Sequence, residues 1–173
     1  KAFAKYGDEI KSIGIDTWGV DYGLLDKEGR LIANPICYRD DRTKGMMDVA
    51  FQKLPKEEFF QHAANQFMEI NTAFQLMSET DLQRAERLLF MPDLFNYFLT
   101  GKCYNEFTIA STSQLLNTKT HQWDDVIFEK LNLPKRLMQE IIYPGTVIGE
   151  LTAELAAEVG GNAKVVAIGS HDT

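Results

Sequence analysis

Cysteines and long apolar runs are both scarce in this sequence. The two cysteines, Cys37 and Cys103, are far apart and have no histidine or further cysteine at ligand spacing. A zinc site or a disulfide framework is therefore not expected, and buried reduced thiols are predicted. No apolar stretch approaches the roughly 18–20 residues that cross a bilayer, and no charged-then-apolar leader stands before the first strand-like run. These absences predict a soluble, cytoplasmic protein without a membrane partner.

Basic clusters and the common nucleotide-binding motifs are also missing. The net charge is -7, and an acidic surface repels nucleic-acid phosphates, so nucleic acid is not expected as a partner. There is no Walker-type glycine–lysine loop, GxGxxG, GxSxG or HExxH motif. What remains is globular composition, 45% hydrophobic and 25% charged over 173 residues, which suits one domain with its own core. Because the chain begins at Lys1 rather than methionine, we expect its N-terminus to be cut rather than native.

Strand-like segments open and close the chain, and its middle has a mainly helical pattern. The segments KSIGID and DYGLLDKEGRLIANP are predicted as an opening strand pair, with a tight turn at residues 26–29. Between Asp40 and about Gln83 apolar residues recur at helical spacing, with breaks at Pro55 and Asn71. Further helices are predicted over MPDLFNYFLTGK, FTIASTSQLLN, DDVIFEKL and ELAAEVGG, an extended piece over PGTVIGEL and a strand over KVVAIG. This order predicts an α/β fold whose helical middle is an insertion or cap that carries part of a pocket.

The chain ends on four polar side chains directly after a strand-like run, listed in order as Ser170, His171, Asp172 and Thr173. In α/β sheets ligands gather at the carboxyl ends of strands, so this segment is a candidate site. The alternative is that these residues cap a helix, since Ser, Asp and Thr are common N-caps. Their simplest chemical use is a carboxylate that acts as general base, beside donors that hold a polyhydroxylated substrate.

A second candidate is the segment IDTWGVDYG, residues 15–23. Gly19 interrupts a strand-like run, where glycine often marks the close approach of a ligand to the backbone. Trp18 offers a flat apolar face of the kind that packs against sugar rings, although core filling is the alternative. Asp16 and Asp21 lie near strand ends, where a turn or cap explains a carboxylate as well as catalysis does.

A third candidate is the charged segment YRDDRTKG, residues 38–45. Arg39 and Arg42 flank Asp40 and Asp41, so the cluster could grip an anion or pair internally. We favour the second explanation, with one aspartate as a helix N-cap and the arginines in salt bridges with the aspartates. The isolated histidines, His62 and His121, have no spaced partner, so surface or satisfied-core roles are expected for both.

Several stretches together resemble the FGGY carbohydrate kinases. In chain order they are GIDTWGVDYGLLD, NPICYRDDRT, INTAFQL, LLFMPDLFNYFLTGK, EFTIASTSQLLN and IGSHDT, which cover nearly the whole chain from Ser12 onward. The LTG-K stretch is shared loosely across that superfamily. The Trp-Gly-Val-Asp run at 18–21 and the Tyr-Arg-Asp cluster at 38–40 are similar to its rhamnulose branch, and xylulose and glycerol kinases look different at Gly19 and Val20.

The resemblance implies a fold of two ribonuclease H-like (actin-like ATPase) domains with a sugar–nucleotide cleft between them. Residues 1–173 would be most of the N-terminal, sugar-binding domain, with a largely helical insertion. The family's opening phosphate-binding hairpin would precede Lys1, and the nucleotide-binding half would follow Thr173. We therefore expect this chain to be inactive alone and active as a kinase at full length.

The same resemblance implies roles for individual residues. Asp172 would be the general base, and Gly19, His171 and Thr173 would lie with it against the sugar. Weaker candidates at the border of the pocket are Trp18, Val20 and Phe107. The implied reaction transfers the γ-phosphoryl group of ATP to the 1-hydroxyl of L-rhamnulose, with Mg²⁺ bridging the phosphates.

Two other functions stay open at this point. One is an FGGY kinase for another ketose, such as fuculose or xylulose, in which the Trp18–Gly19 pocket accepts a different sugar. The other is a non-catalytic sugar-binding module of the same fold. Gly19 and Asp172 favour an enzyme, because a binding module does not need a carboxylate placed as a base. No oligomeric state is predicted from the sequence.

Overall fold

The computed structural model describes residues 1–172, so the predicted sugar contact Thr173 lies outside the described residues. Helices and short strands are mixed along the chain, as the predicted α/β class requires. The helices are α1 (Ala2–Tyr6), α2 (Met46–Lys53), α3 (Lys56–Ala63), α4 (Thr72–Met77), α5 (Met91–Thr100), α6 (Phe107–Ala110), α7 (Asp125–Leu131) and α8 (Ala153–Val159). The strands are β1 (Ser12–Ile13), β2 (Tyr22–Leu25), β3 (Arg87–Phe90), β4 (Asn105–Glu106), β5 (Leu116–Asn117), β6 (Gln122–Trp123), β7 (Ile141–Ile142), β8 (Val147–Glu150) and β9 (Lys164–Val166).

The opening strands do not pair with each other, so that prediction is wrong. β1 lies parallel to β9, with Ser12 opposite Lys164, and β8 lies antiparallel on the other side of β9. β2 instead pairs antiparallel with β3, with Tyr22 opposite Phe90. The sequence assigned no element to β3 or to α1. A run of four residues such as β3 has no periodicity that separates a buried strand from the start of the helix after it.

Several helix ends follow the local sequence. α5 has Pro92 in its first turn, and Gly101 closes it with a φ of 72°. Asn71 precedes α4 as predicted, but its side chain accepts a hydrogen bond from Met68 N instead of capping the helix.

The helix predicted over residues 107–117 is much shorter than expected. α6 ends at Ala110, a 3₁₀ turn follows over Ser111–Ser113, and Gln114 has a left-handed φ of 63°. The hydroxyls of Thr112 and Ser113 bond to carbonyls three residues back, at 2.7 and 2.6 Å. Such local side-chain bonds compete with continued helix, so the apolar spacing of this stretch was misleading.

Helices α2, α3, α4, α6 and α7 pack with the β2–β3 pair and form the main core. Its fully buried side chains include Phe59, Phe74, Leu88, Phe90, Ile109 and Ile127. A smaller cluster beneath β8 and β9 contains Ile148, Val165 and Ala167. Every helix within residues 1–172 is too short or too polar to cross a bilayer.

The two cysteines are free thiols, but neither is fully buried, so the predicted burial is wrong for Cys37 and only partly met by Cys103. Cys37 is exposed and Cys103 is half-buried. Burial raises the pKa of the Cys103 thiol above its ordinary value.

Candidate functional site

Two of the candidate segments lie side by side where β1 and β9 end. The backbone N–H of Thr17 donates to Ser170 O at 3.0 Å, and the N–H of Asp172 donates to Thr17 O at 3.1 Å. Thr17 and His171 thus form a parallel bridge beyond the ends of the two strands. Because these strands are parallel, their carboxyl ends meet at one edge, which brings distant residues of the chain together.

This edge opens into a cavity of about 540 Å³. One side, which we call the first wall, consists of Trp18, Gly19 and Val20. The second wall consists of His171 and Asp172. The other lining residues come from the segments before α2 and α4 and after α6, and they are Tyr38, Asn65, Met68, Ile70, Asn71, Ser111 and Thr112. The described part of the site therefore joins five stretches of the sequence.

Gly19 in the first wall lies close to His171 in the second wall. A Cβ at this position would lie 3.0 Å from His171 Nε2 and 3.0 Å from Thr112 Cγ2. Those distances are tighter than ordinary van der Waals contact, so a side chain would force its neighbours to move. Within the chain Gly19 therefore closely approaches His171 and Thr112, while the approach of a ligand at this glycine stays a prediction.

Val20 has a backbone conformation that is uncommon for a β-branched residue. Its φ is 67°, and the N–H of Asp21 donates to Gly19 O at 2.9 Å across a three-residue turn. The surroundings determine this turn: Val20 N donates to Thr112 Oγ1 at 3.1 Å, and Val20 O accepts from Thr72 Oγ1 at 2.7 Å. Such backbone strain persists only where several contacts enforce it, and it is common at functional sites.

Trp18 does not fill the core, so that alternative is wrong. Its side chain is 43% exposed and lines the cavity, while its indole Nε1–H donates to Asp21 Oδ2 at 2.8 Å. Asp21 itself is buried behind the first wall, 2% exposed, and accepts hydrogen bonds from Trp18 Nε1 and Tyr38 N.

Ser170 is a buried anchor and does not line the cavity. It is 1% exposed, and its hydroxyl donates to Glu106 Oε2 at 2.6 Å, while its N–H donates to Thr108 Oγ1 at 2.9 Å. Glu106 is fully buried and also accepts the N–H groups of Thr108 and Ile109 at the start of α6. The sequence did not single out Glu106, because a glutamate before a helix looks like an ordinary N-cap.

The second wall carries the predicted base. His171 Nε2 lies 3.8 Å from Asp172 Oδ1, and the Asp172 side chain is 52% exposed. Phe107 is not among the described residues that line the cavity. Its ring instead packs on those of His121 and Tyr143, with centroids 4.8 and 5.2 Å apart.

The charged segment pairs differently from the expectation. Asp40 caps a 3₁₀ turn by accepting the N–H of Arg42, as predicted. The Arg42 guanidinium, however, bonds to Glu79 Oε1 at 2.6 Å and Gln75 Oε1 at 2.8 Å, and Arg39 contacts the Tyr38 hydroxyl at 3.3 Å. A backbone that turns after Asp40 sends Arg42 inward, so its partners lie on and after α4.

His62 has a partner that spacing along the chain did not reveal. Its Nδ1 lies 2.7 Å from Asp124 Oδ2, and Asn117 Nδ2 donates to the same oxygen at 2.6 Å. Burial raises the pKa of Asp124, but the hydrogen bonds from Asn117, Ile127 N and His62 outweigh that effect and lower it. This cluster lies outside the cavity lining.

Comparison with known proteins identifies the class. The profile of the FGGY family of carbohydrate kinases, N-terminal domain, matches residues 4–173. The chain belongs to this family.

Two curated relatives narrow the comparison. The chain is 41% identical over 167 residues to a rhamnulokinase of Pectobacterium atrosepticum, covering 94% of this chain and 33% of that protein. It is 39% identical to a rhamnulokinase of Bacteroides thetaiotaomicron, covering 100% of this chain and 37% of that protein. The chain thus spans about a third of the length of the relatives it matches.

Solved structures show the same fold at lower identity. A ligand-bound xylulose kinase from Lactobacillus acidophilus superposes with a TM-score of 0.82 at 19% identity, over 94% of this chain and 34% of that one. A Plasmodium falciparum glycerol kinase with ADP superposes with a TM-score of 0.79 at 21% identity, over 92% and 34%. The mixed α/β fold of this chain is therefore that of sugar kinases.

Proposed function

We propose that this chain is most of the sugar-binding domain of a rhamnulokinase, which phosphorylates L-rhamnulose at its 1-hydroxyl with ATP. The observation that carries the proposal is the pairing of the two walls, which sets His171 and Asp172 opposite Trp18 and Gly19 in one cavity. The identity of about 40% to two rhamnulokinases supports the choice of sugar. The ribonuclease H-like topology with a helical insertion and the division into domains are part of the same proposal.

The roles of the lining residues follow from their chemistry. Asp172 accepts the proton of the attacking hydroxyl, because phosphoryl transfer needs a carboxylate near the nucleophile and little other covalent chemistry. His171 and Thr173 hydrogen-bond other hydroxyls and so select the one that attacks. Gly19 leaves room for the ketose, while Trp18 presents its flat face to it. Val20 and Phe107 border the pocket in the family, and here Val20 lines the cavity.

ATP and Mg²⁺ would be held mostly by the rest of the full-length protein. Within residues 1–172 no group of three or more His, Cys, Asp or Glu residues could hold a metal ion. When bound, Mg²⁺ would neutralise charge on the phosphates.

A substrate panel on the full-length protein tests the proposal. ATP-dependent turnover is measured with L-rhamnulose, L-fuculose, D-xylulose and glycerol, and the product is identified by phosphorus NMR. We expect L-rhamnulose to have the largest kcat/KM and to give the 1-phosphate. Preference for another ketose would contradict the proposed sugar but would still support kinase activity. Sugar binding without turnover would favour the non-catalytic module.

The role of Asp172 is tested in the same assay. Asp172→Asn should lower kcat by about 10²- to 10⁴-fold while the Kd for the sugar stays within a few-fold, because the variant loses the proton acceptor and little volume. The matched control is Asp48→Asn, which changes an exposed carboxylate in the first turn of α2 and should leave kcat unchanged. Near-normal turnover by Asp172→Asn would remove Asp172 as the base.

A further inference from the structure

Asp21 lies directly behind the first wall and receives hydrogen bonds from three different parts of the chain. The indole Nε1–H of Trp18 donates to Oδ2 at 2.8 Å, and the backbone N–H of Tyr38 donates to the same oxygen at 3.2 Å. Gln75 Nε2 donates to Oδ1 at 3.2 Å. Two of these donors, Trp18 and Tyr38, belong to residues that line the cavity. One buried carboxylate therefore joins two sides of the cavity.

The bond to Asp21 holds Trp18 by its edge and leaves the ring accessible. The side chain is 43% exposed although its only polar atom is bonded inside the protein. An exposed indole without such a bond would sample several rotamers, and ordering it on binding would cost affinity. With the N–H anchored, the flat face is presented to the cavity before any ligand arrives. This is preorganisation of a binding surface.

A chain of buried polar groups supports Asp21 from behind. Gln75 is fully buried, and its amide also donates to Val20 O at 3.2 Å and to Ile70 O at 2.8 Å. Its carbonyl oxygen accepts from Arg42, whose guanidinium is paired with Glu79. Since each member has its partners, the cluster is rigid and can hold the first wall in one geometry.

The residue at position 21 has to be an acceptor on both of its side-chain oxygens. All three groups that face it are donors, and a carboxylate offers two acceptor oxygens. Asparagine has the same shape but would turn an NH₂ group towards one of these donors, whichever way its amide is oriented. Asp21→Asn therefore breaks the matching of donors and acceptors with almost no change of volume.

We propose that Asp21 is a positioning residue that orients Trp18 for sugar binding, and that it determines affinity for the ketose rather than the rate of phosphoryl transfer. The proposal rests on the function proposed above for the cavity. Asp21 does not line the cavity and acts through the indole that does.

Kinetics of the full-length protein give the first test. Asp21→Asn should raise KM for the ketose about tenfold, the loss expected for a hydrogen bond to a carboxylate, and keep kcat within about twofold. The control, Asp26→Asn, changes a half-buried turn carboxylate five residues further on that does not line the cavity, and it should leave KM unchanged. A fall in kcat with an unchanged KM would overturn the proposal.

A double-mutant cycle separates positioning from general stability. In a Trp18→Phe background there is no indole N–H to orient, so adding Asp21→Asn should raise KM by less than about threefold. The same tenfold factor in both backgrounds would show that Asp21 does not act through Trp18. If Asp21→Asn does not fold, the test rests on Trp18→Phe alone. In that variant KM for the ketose should rise while kcat stays unchanged.

A measurement without substrate distinguishes failure of this inference from failure of the proposed function. In protein labelled with ¹⁵N-tryptophan, the Trp18 indole signal is assigned by its loss in Trp18→Phe. Its N–H should exchange with solvent about tenfold faster or more in Asp21→Asn. Unchanged exchange overturns the positioning role even if rhamnulose is the substrate. If exchange is faster in Asp21→Asn but the full-length protein phosphorylates no ketose, Asp21 does position Trp18 and the proposed kinase function is wrong.

Discussion

The two walls of the cavity are held by buried carboxylates in different ways. Behind the first wall, Asp21 binds the side chain of Trp18, so it orients one ring. Behind the second wall, Glu106 accepts the hydroxyl of Ser170 at 2.6 Å and, at a longer 3.3 Å, the backbone N–H that Ser170 shares with Thr108 Oγ1. Glu106 therefore fixes the chain from which His171 and Asp172 project. Under the proposed function, the first arrangement would control how the ketose is held, and the second would control where the base Asp172 stands. Replacing Asp21 should therefore change mainly KM, and replacing Glu106 should change mainly stability and kcat.

The largest effect in this comparison is expected from Glu106→Gln. Glu106 Oε2 accepts from Thr108 Oγ1, Ile109 N and Ser170 Oγ, and an amide would face these donors with an NH₂ group. We expect a loss of about 2–4 kcal/mol in the free energy of unfolding, together with a fall in kcat. Urea unfolding and kinetics of the full-length protein measure both quantities.

Glu57→Gln is the control for Glu106, because Glu57 is exposed in the first turn of α3. It should change the free energy of unfolding by no more than a few tenths of a kcal/mol. If Glu106→Gln raised KM and left both kcat and stability intact, the two walls would behave alike and the distinction between them would be lost.

A smaller effect is expected where the walls touch. Gly19→Ala places a methyl group 3.0 Å from His171 Nε2, so the second wall or Thr112 must shift by a few tenths of an ångström. We expect KM for the ketose to rise about tenfold, with little change in the unfolding transition. Gly149→Ala in β8 is the control, because its methyl would meet Lys102 Cε at an ordinary 3.5 Å. Equal KM values for the two variants would mean that Gly19 serves only the backbone.

The smallest effect concerns Asp124, a buried carboxylate outside the cavity lining. Its pKa lies below the ordinary 3.8, so the folded state binds the proton more weakly than the unfolded state. The resulting stability is present above that ordinary value and is lost as the pH falls through the lowered pKa. The Asp124→Asn variant should lack this pH-dependent contribution to the free energy of unfolding, which is about 1 kcal/mol.

Urea unfolding of the full-length protein at neutral pH and in acid measures the contribution of Asp124. The gap in stability between wild type and Asp124→Asn should shrink on acidification, while KM and kcat at neutral pH stay unchanged. A gap that widens in acid, or altered kinetics, would show that Asp124 does not belong to a purely structural cluster.

Much of the local structure could be predicted from the sequence, because the responsible residues are neighbours in the chain. Pro92 and Gly101 mark the ends of α5, Gly160 closes α8 with a φ of 72°, and Asp40 caps its turn. The turn at residues 26–29 follows from Gly29, whose φ is 78°. In each case one residue either accepts a hydrogen bond from a neighbouring backbone N–H or allows the neighbouring backbone a conformation that other residues avoid. The stretch at 107–117 failed because hydroxyl bonds to the backbone competed with its apolar spacing.

The predicted residues of the candidate site were also found close together, although the sequence offered no distance between them. Trp18, Gly19 and Val20 line the same cavity as His171 and Asp172, while Phe107 lies elsewhere and Thr173 stays a prediction outside the described residues. Local patterns drew attention to the two segments, because a glycine within a strand-like run and polar residues at the carboxyl end of a strand are both frequent where ligands bind. The roles of these residues in catalysis and binding remain predictions for the experiments above.

The sequence by itself determined the composition of the two walls, the local turns and most helix ends, since these depend on residues within a few positions of one another. Only the tertiary structure decided that Val20 N meets Thr112, 92 residues away, and that Ser170 meets Glu106, 64 residues away. It also turned Trp18 outwards and buried Asp21 behind it. These choices depend on how distant strands and helices pack around a shared core, and no local preference encodes that packing.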